Sequence, residues 1–122
     1  MTRTAREVVE LYNLVVWNEK DFALAEELLG DTVTRHDVGE VKVLTHAEAV
    51  ARVVDHWAMF SSIRFDLKLV VAEGEYATIV YESPMVFPDG AELTVSSMEI
   101  FRVVDGRITE VWNCGHKQGV WT

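Results

Sequence analysis

The 122-residue chain has a single cysteine, Cys114, and only 11 basic residues against 20 acidic ones, a formal charge of −9. One thiol cannot close an internal disulfide, so a reducing cytoplasm is the expected setting. The acidic excess repels phosphate backbones and anionic bilayers, which removes nucleic acid and membrane from the expected partners. No apolar run approaches the ~18 residues that span a bilayer, and no charged-then-apolar leader opens the sequence. Metal-ligand spacing is missing as well. His36, His46, His56 and His116 are scattered, and neither HExxH nor a cysteine pair occurs, so no metal is expected. GxGxxG, phosphate-loop and nucleophile-elbow motifs are absent, and no cofactor is expected. Without repeats, linkers or low-complexity segments, residues 1–122 are expected to form one soluble domain.

What is present is ordinary for a globular chain: 49% hydrophobic and 25% charged residues. Thr4 with Glu7, and Thr45 with Glu48, are capping-box pairs that mark helix starts. Val8, Leu11, Tyr12, Val15 and Val16 follow the first at helical spacing, while Val50, Val53, Val54 and Trp57 follow the second. Between them Asp21 can cap a shorter helix ending at Gly30, a residue suited to a left-handed C-terminal position. A short strand pair is expected at 32–37 and 41–44 around Gly39. From residue 62 the period changes to two: Ile63, Phe65, Leu67, Leu69 and Val71 alternate with polar residues. Turns at Glu73-Gly74-Glu75, Pro88-Asp89-Gly90 and Asp105-Gly106 then separate strands at 76–87, 91–104 and 107–114, which must be antiparallel. Helices followed by a meander predict an α+β domain with its helices on one sheet face.

Asn18-Glu19-Lys20-Asp21, Thr32 to Asp37, and Glu99-Ile100-Phe101-Arg102-Val103 leading through Asp105-Gly106-Arg107-Ile108 to Trp112 resemble the nuclear-transport-factor-two-like superfamily. More narrowly they resemble its SnoaL-like polyketide-cyclase and ketosteroid-isomerase-like branch. The resemblance covers nearly the whole chain in order. It implies a cone: three helices within a curved, mostly antiparallel sheet, an apolar pocket open at one end, and a homodimer. The superfamily holds enzymes and binding modules alike, so function rests on the site.

Glu99 is the sharpest candidate. It shares strand parity with Leu93, Val95, Ser97, Phe101 and Val103, and a carboxyl group on so apolar a face resists ionisation and can donate a proton near neutrality. The alternative is a salt-bridged carboxylate or a wet strand end. The resemblance sets Glu99 at the oxyanion-hole acid of ketosteroid isomerases and His36 at their catalytic base; the ordinary pKa of an imidazole suits that task. A structural histidine bonded to backbone is the other reading of His36. Tyr12 falls within one residue of the isomerase tyrosine and could polarise a carbonyl, or simply pack in the core. Asn113 stands where limonene-epoxide-hydrolase-like and cyclase-like members carry an acid after tryptophan. An amide cannot replace that acid's proton, and the arginine–aspartate pair of such hydrolases is missing, since that stretch reads Glu82-Ser83-Pro84. His116 could substitute for the acid or lie exposed.

The hairpin at Asp105-Gly106 decides which residues meet. A two-residue loop pairs Val104 with Arg107, sets Glu99 opposite Trp112, and turns Asn113 to the far face. A three-residue loop pairs Val103 with Arg107, sets Glu99 opposite Val111, and keeps Asn113 on the same side. Similar family hairpins favour the second.

Trp17, His56, Trp57, Tyr81, Ser97, Phe101 and Trp112 are the expected substrate-binding residues, with apolar walls suited to a small hydrophobic, polycyclic or aromatic molecule. His56 could equally be a helix-surface residue. His46 is expected to be solvated, Cys114 to be a small core residue, and Trp121 to cover the pocket mouth or a dimer contact. Two functions follow: a cofactor-independent acid–base enzyme (isomerase, cyclase or dehydratase), or a non-catalytic module that binds a small molecule.

Overall fold

The computed structural model describes residues 2–122. Thr4 closes the first capping box: its hydroxyl accepts from the Glu7 N–H at 3.1 Å and its own N–H donates to Glu7 Oε1 at 3.0 Å. Helix α1 (Ala5–Leu11) then widens into a π-helical segment, Tyr12–Trp17. Asn13, inside this stretch, donates from Nδ2 to the Val9 carbonyl at 2.8 Å. Asp21 caps α2 (Phe22–Leu28) by accepting from the Leu24 N–H. The second capping box opens α3 (His46–Ala58), which buries Ala49, Val53 and Trp57 and leaves Asp55 outside.

Gly30 is not a helix cap. The chain turns directly from α2 into β1 (Leu29–Asp37), and Gly30 lies in that strand. A Cβ there would sit 2.9 Å from the Ile108 carbonyl oxygen, so the glycine is required by close backbone approach rather than by a left-handed conformation. His46 is not solvated either: its Nδ1 lies 3.1 Å from the carbonyl oxygens of both Leu29 and Gly30.

Strand β1 pairs antiparallel with β2 (Glu40–Thr45) and parallel with β7 (Arg107–Asn113). The long meander β4 (Asp66–Glu73), β5 (Tyr76–Val86), β6 (Glu92–Val104) and β7 is antiparallel throughout, as the short turns dictate. Two-residue strands complete the edges: β3 (Ser62–Ile63) on β5 and β8 (Lys117–Gln118) on β6. The sheet order is β2-β1-β7-β6-β5-β3, with β4 also on β5 and β8 also on β6.

Two bulges alter the alternation expected from sequence. Leu67 pairs with Tyr81 but Leu69 pairs with Val80, so Lys68 is an inserted residue. Beyond it the phase reverses: Leu69 and Val71 are exposed and Val70 packs against the core. The second bulge lies beside the Asp105-Gly106 turn. Val104 does pair with Arg107, and both Asp105 (φ 51°) and Gly106 (φ 74°) are left-handed, as a two-residue type I′ turn requires. The favoured three-residue loop is therefore wrong. Yet Val103 pairs with Ile108 and Arg102 with Glu110, so Thr109 is extra and the register moves by one. Glu99 consequently pairs with Asn113 rather than with Trp112 or Val111, and the two side chains share a face.

The inner face of the sheet packs on the helices. Phe101, Ile79, Ile108 and Val111 meet Val8, Val9, Val16, Leu28 and Val53 in one apolar cluster. Phe101 belongs wholly to this core, edge-on to Tyr12 at 6.1 Å between ring centres. Trp57 does too: its indole N–H donates to the Trp17 carbonyl at 2.9 Å. Among the described residues, no helix is long and apolar enough to cross a membrane.

Candidate active site

Toward the opposite end of the core the inner face changes character, and a cavity of about 190 Å³ opens. The π-helical segment supplies Tyr12, Asn13 and Trp17 to its wall; the wider turn brings residues five apart onto one side. Helix α3 supplies Arg52 and His56, four residues apart and hence on one face. Strand β1 supplies Arg35, β5 supplies Tyr81, Ser83 and Met85, and β6 supplies Leu93, Val95 and Glu99. Phe60, Ile63 and Phe65 close the apolar side, and Asn113 and His116 come from the C-terminal end.

Glu99 is the focus of the polar groups. Its Oε1 accepts from the Asn113 side-chain amide at 3.1 Å and from the Tyr81 hydroxyl at 3.3 Å. Asn113 is fixed in turn, since its Oδ1 accepts from the Gly115 N–H at 2.7 Å. Oε2 receives no hydrogen bond among the described residues, leaving it as the oxygen that can carry a proton into the cavity. Burial pushes the Glu99 carboxyl above its ordinary value, while Arg35, Arg52 and the Tyr81 hydroxyl hold it back. Tyr81 is itself driven above its ordinary range, first by burial and then by the Glu99 carboxylate.

His56 faces the same space. Its ring is edge-on to Trp17 at 5.7 Å and stacked with Phe60 at 6.0 Å. Burial, then Arg52, His116 and Arg35, lower its pKa, so it is neutral at neutral pH and able to accept a proton.

Of the sequence-predicted catalytic residues, Glu99, Tyr12, Asn113 and His116 line this cavity and His36 does not. Strand alternation explains the difference. Arg35 pairs with Val111 on the inner face, while His36 pairs with Trp112 on the outer one. There the imidazole stacks on Trp112 at 4.9 Å, and its Nε2 lies 2.8 Å from Glu110 Oε2. Arg102 joins Glu110 to Glu75, completing a surface chain of charges. His36 thus lies outside this cavity, bonded to a side chain rather than to backbone. Trp112 moves to the outer face with it.

Among the expected binding residues, Trp17, His56 and Tyr81 line the cavity. Trp57 and Phe101 are core instead: Phe101 packs edge-on to Tyr12, and Trp57 bonds the Trp17 carbonyl with Lys20 over its ring. Ser97 is buried but turns its hydroxyl to the Gly115 carbonyl at 2.7 Å, tethering the C-terminal segment. Cys114 is exposed, not core. Trp121 stays outside the cavity wall, its indole N–H donating to the Tyr81 carbonyl at 3.0 Å. Sequence reasoning missed Arg35, Arg52, Asn13 and Ser83. Parity with Val33 was the available signal for Arg35, and four-residue spacing from His56 was the signal for Arg52. Among the described residues, no cluster of His, Cys, Asp and Glu could hold a metal ion.

Residues 8–111 match the SnoaL-like domain family model. The chain belongs to the SnoaL-like family. Solved structures agree on the fold. A SnoaL-like polyketide cyclase from Agrobacterium tumefaciens superposes with a TM-score of 0.78 at 15% identity, over 94% of this chain and 92% of the other. A candidate polyketide cyclase from Acidithiobacillus ferrooxidans gives 0.78 at 21%, over 93% and 88%. An LEH-like epoxide hydrolase from M. tuberculosis gives 0.78 at 18%, over 93% and 83%. At such identities the likeness establishes the α+β cone fold alone and not an activity. No functionally curated protein matches the sequence. This SnoaL-like chain therefore has its architecture from its relatives, and its chemistry must be read from its own cavity.

Proposed function

We propose that this SnoaL-like protein is a cofactor-independent acid–base enzyme that isomerises, cyclises or dehydrates a small hydrophobic carbonyl compound. The observation that carries this reading is the carboxyl of Glu99, enclosed in the cavity with two donors on one oxygen and the other oxygen free. A protonated Glu99 donates to the oxygen on which negative charge develops, with Tyr12 lining the same space. Neutral His56 is the base that removes a proton from the carbon next to the carbonyl. His116 lines the opening beside Asn113. The 190 Å³ volume is small for a ligand site and favours one or two rings over a larger polycycle.

The amide at Asn113, where the resemblance implies an acid, favours the second reading, a binding module without turnover. Proton exchange separates the two without knowledge of the substrate. Small cyclic ketones incubated with the protein in D₂O should lose α-protons faster than in buffer, as read by NMR. The gain should disappear in both Glu99→Gln and His56→Ala. Ketones that bind with no exchange beyond buffer would leave the module.

We also propose a homodimer formed through the outer sheet face. Tyr76, Met98 and Ile100 are exposed there around a hollow shared with His36, Val38 and Trp112, an apolar surface that a second copy would cover. Sedimentation of Ile100→Asp against wild type tests this, a shift toward monomer being expected.

A further inference from the structure

Two guanidinium groups line the cavity and, among the described residues, neither is hydrogen-bonded to or ion-paired with a carboxylate; Glu99 and Asp37 act on Arg35 only at a distance. Arg35 is only 9% exposed, and it makes neither hydrogen bond nor ion pair among the described residues. Arg52, one helical turn before His56, is equally unpartnered. The contrast with the rest of the chain is sharp: Arg3, Arg6, Arg64, Arg102 and Arg107 all pair with carboxylates. The two arginines of the cavity are the exceptions in a protein with 20 acidic residues. A buried charge without a partner is costly. Burial first, and Arg52 second, also press Arg35 below its ordinary pKa, against the partial support of Glu99, Tyr12 and Asp37, a penalty that an arriving anion relieves.

Position gives the anion an orientation. Arg35, Arg52, Asn113 and His116 line both the cavity and a wider outer vestibule that includes Asp37, Lys42, Glu48 and Asp55. The guanidinium groups therefore stand at the neck between the two. Trp17, Phe60, Phe65, Met85, Leu93 and Val95 line the inner cavity alone. Deep on the same wall, Ser83 Oγ is fully buried with no hydrogen-bond partner. Ser83 is two strand positions beyond Tyr81.

We propose that the ligand is a small carboxylic acid, its carboxylate held by Arg35 and Arg52 at the neck and its one- or two-ring apolar body inside, with a polar atom toward Ser83. A planar guanidinium matches a carboxylate with paired donors, which favours this anion over a diffuse charge. The vestibule acids make no direct hydrogen bond to the arginines among the described residues and would repel a second negative group, which favours a monoanion. The proposal rests on reading the cavity as the substrate site, and adds a permanent negative charge that the acid–base reading does not require.

The test is isothermal titration calorimetry with trans-cinnamate and 2-naphthoate against their primary amides. An acid should bind about tenfold or more tightly than its amide, the worth of a charge-assisted hydrogen bond. That preference should vanish in Arg35→Gln and fall in Arg52→Gln, and it should persist in His36→Ala, on the outer face of the sheet. Should Arg35→Gln fail to fold, Arg52→Gln on the half-buried face of α3 carries the test. Equal binding of acid and amide by wild type, survival of the preference in both arginine variants, or no binding by either acid would overturn it. Acid-selective binding together with no α-proton exchange in the cyclic ketones would instead sink the enzymatic reading and leave this one standing.

Discussion

The side-chain amide of Asn113 donates to Glu99 Oε1 across the β6–β7 ladder at 3.1 Å. The pair exists because a type I′ turn and a one-residue bulge act together: the turn alone would set Glu99 opposite Trp112, and the bulge at Thr109 moves it on by one. Asn113 and Tyr81 thus both lie on one oxygen of an enclosed carboxyl, and the acid can be kept protonated while remaining fixed in direction.

Stability should depend on this carboxyl in a defined direction. Its folded pKa is raised above the ordinary 4.5, so the folded state binds the proton more tightly than the unfolded chain. Stability then falls as pH rises from the ordinary carboxylate range through the raised value. Glu99→Gln keeps the shape and removes the charge. Its melting temperature should exceed that of wild type at neutral and alkaline pH, and the gap should close below pH 4.5, as followed by circular dichroism.

Any turnover should rise and then fall with pH. His56 must be neutral to act as base, and its pKa lies below the ordinary 6.5; Glu99 must be protonated, and its pKa lies above 4.5. The rising limb belongs to His56 and should be absent in His56→Ala. The falling limb belongs to Glu99 and should be absent in Glu99→Gln, with the residual rate down about 10²–10⁴-fold.

His36→Ala should leave α-proton exchange unchanged, because the imidazole lies on the outer face against Trp112 and Glu110. Loss of one part-exposed pair should cost at most ~1 kcal/mol of stability by urea unfolding.

Gly30→Ala should destabilise the fold by about 1–3 kcal/mol, since the new methyl must displace the Ile108 carbonyl at 2.9 Å. Urea unfolding measures this directly, and a neutral outcome would mean that β1 and β7 can move apart without cost.

Much of the fold was legible because local chemistry and global pattern agree. Thr4, Asp21 and Thr45 cap the helices they were expected to cap, and the Gly-containing turns set the antiparallel meander. The site was less legible, for reasons of phase. A strand shows one side of each residue pair to the cavity, and a single inserted residue reverses the choice. Lys68 and Thr109 are such insertions, and neither carries a sequence mark that distinguishes it from its neighbours. Glu99 could be found because its own strand alternates cleanly from Leu93 to Val103. His36 was misplaced because the resemblance outweighed the parity of Val33 and Arg35. The vacant charges of Arg35 and Arg52 were beyond reach, because a missing partner becomes visible only when every neighbour is in place.

The most direct measurement is the titration of the Glu99 carboxyl itself, read from its side-chain ¹³C shift in uniformly labelled protein, with Glu99→Gln supplying the assignment. A midpoint clearly above 4.5 is expected, with Glu99 still protonated where the other carboxyls have ionised. A midpoint at or below that value would mean a carboxylate permanently charged in the cavity, and would contradict its role as the acid.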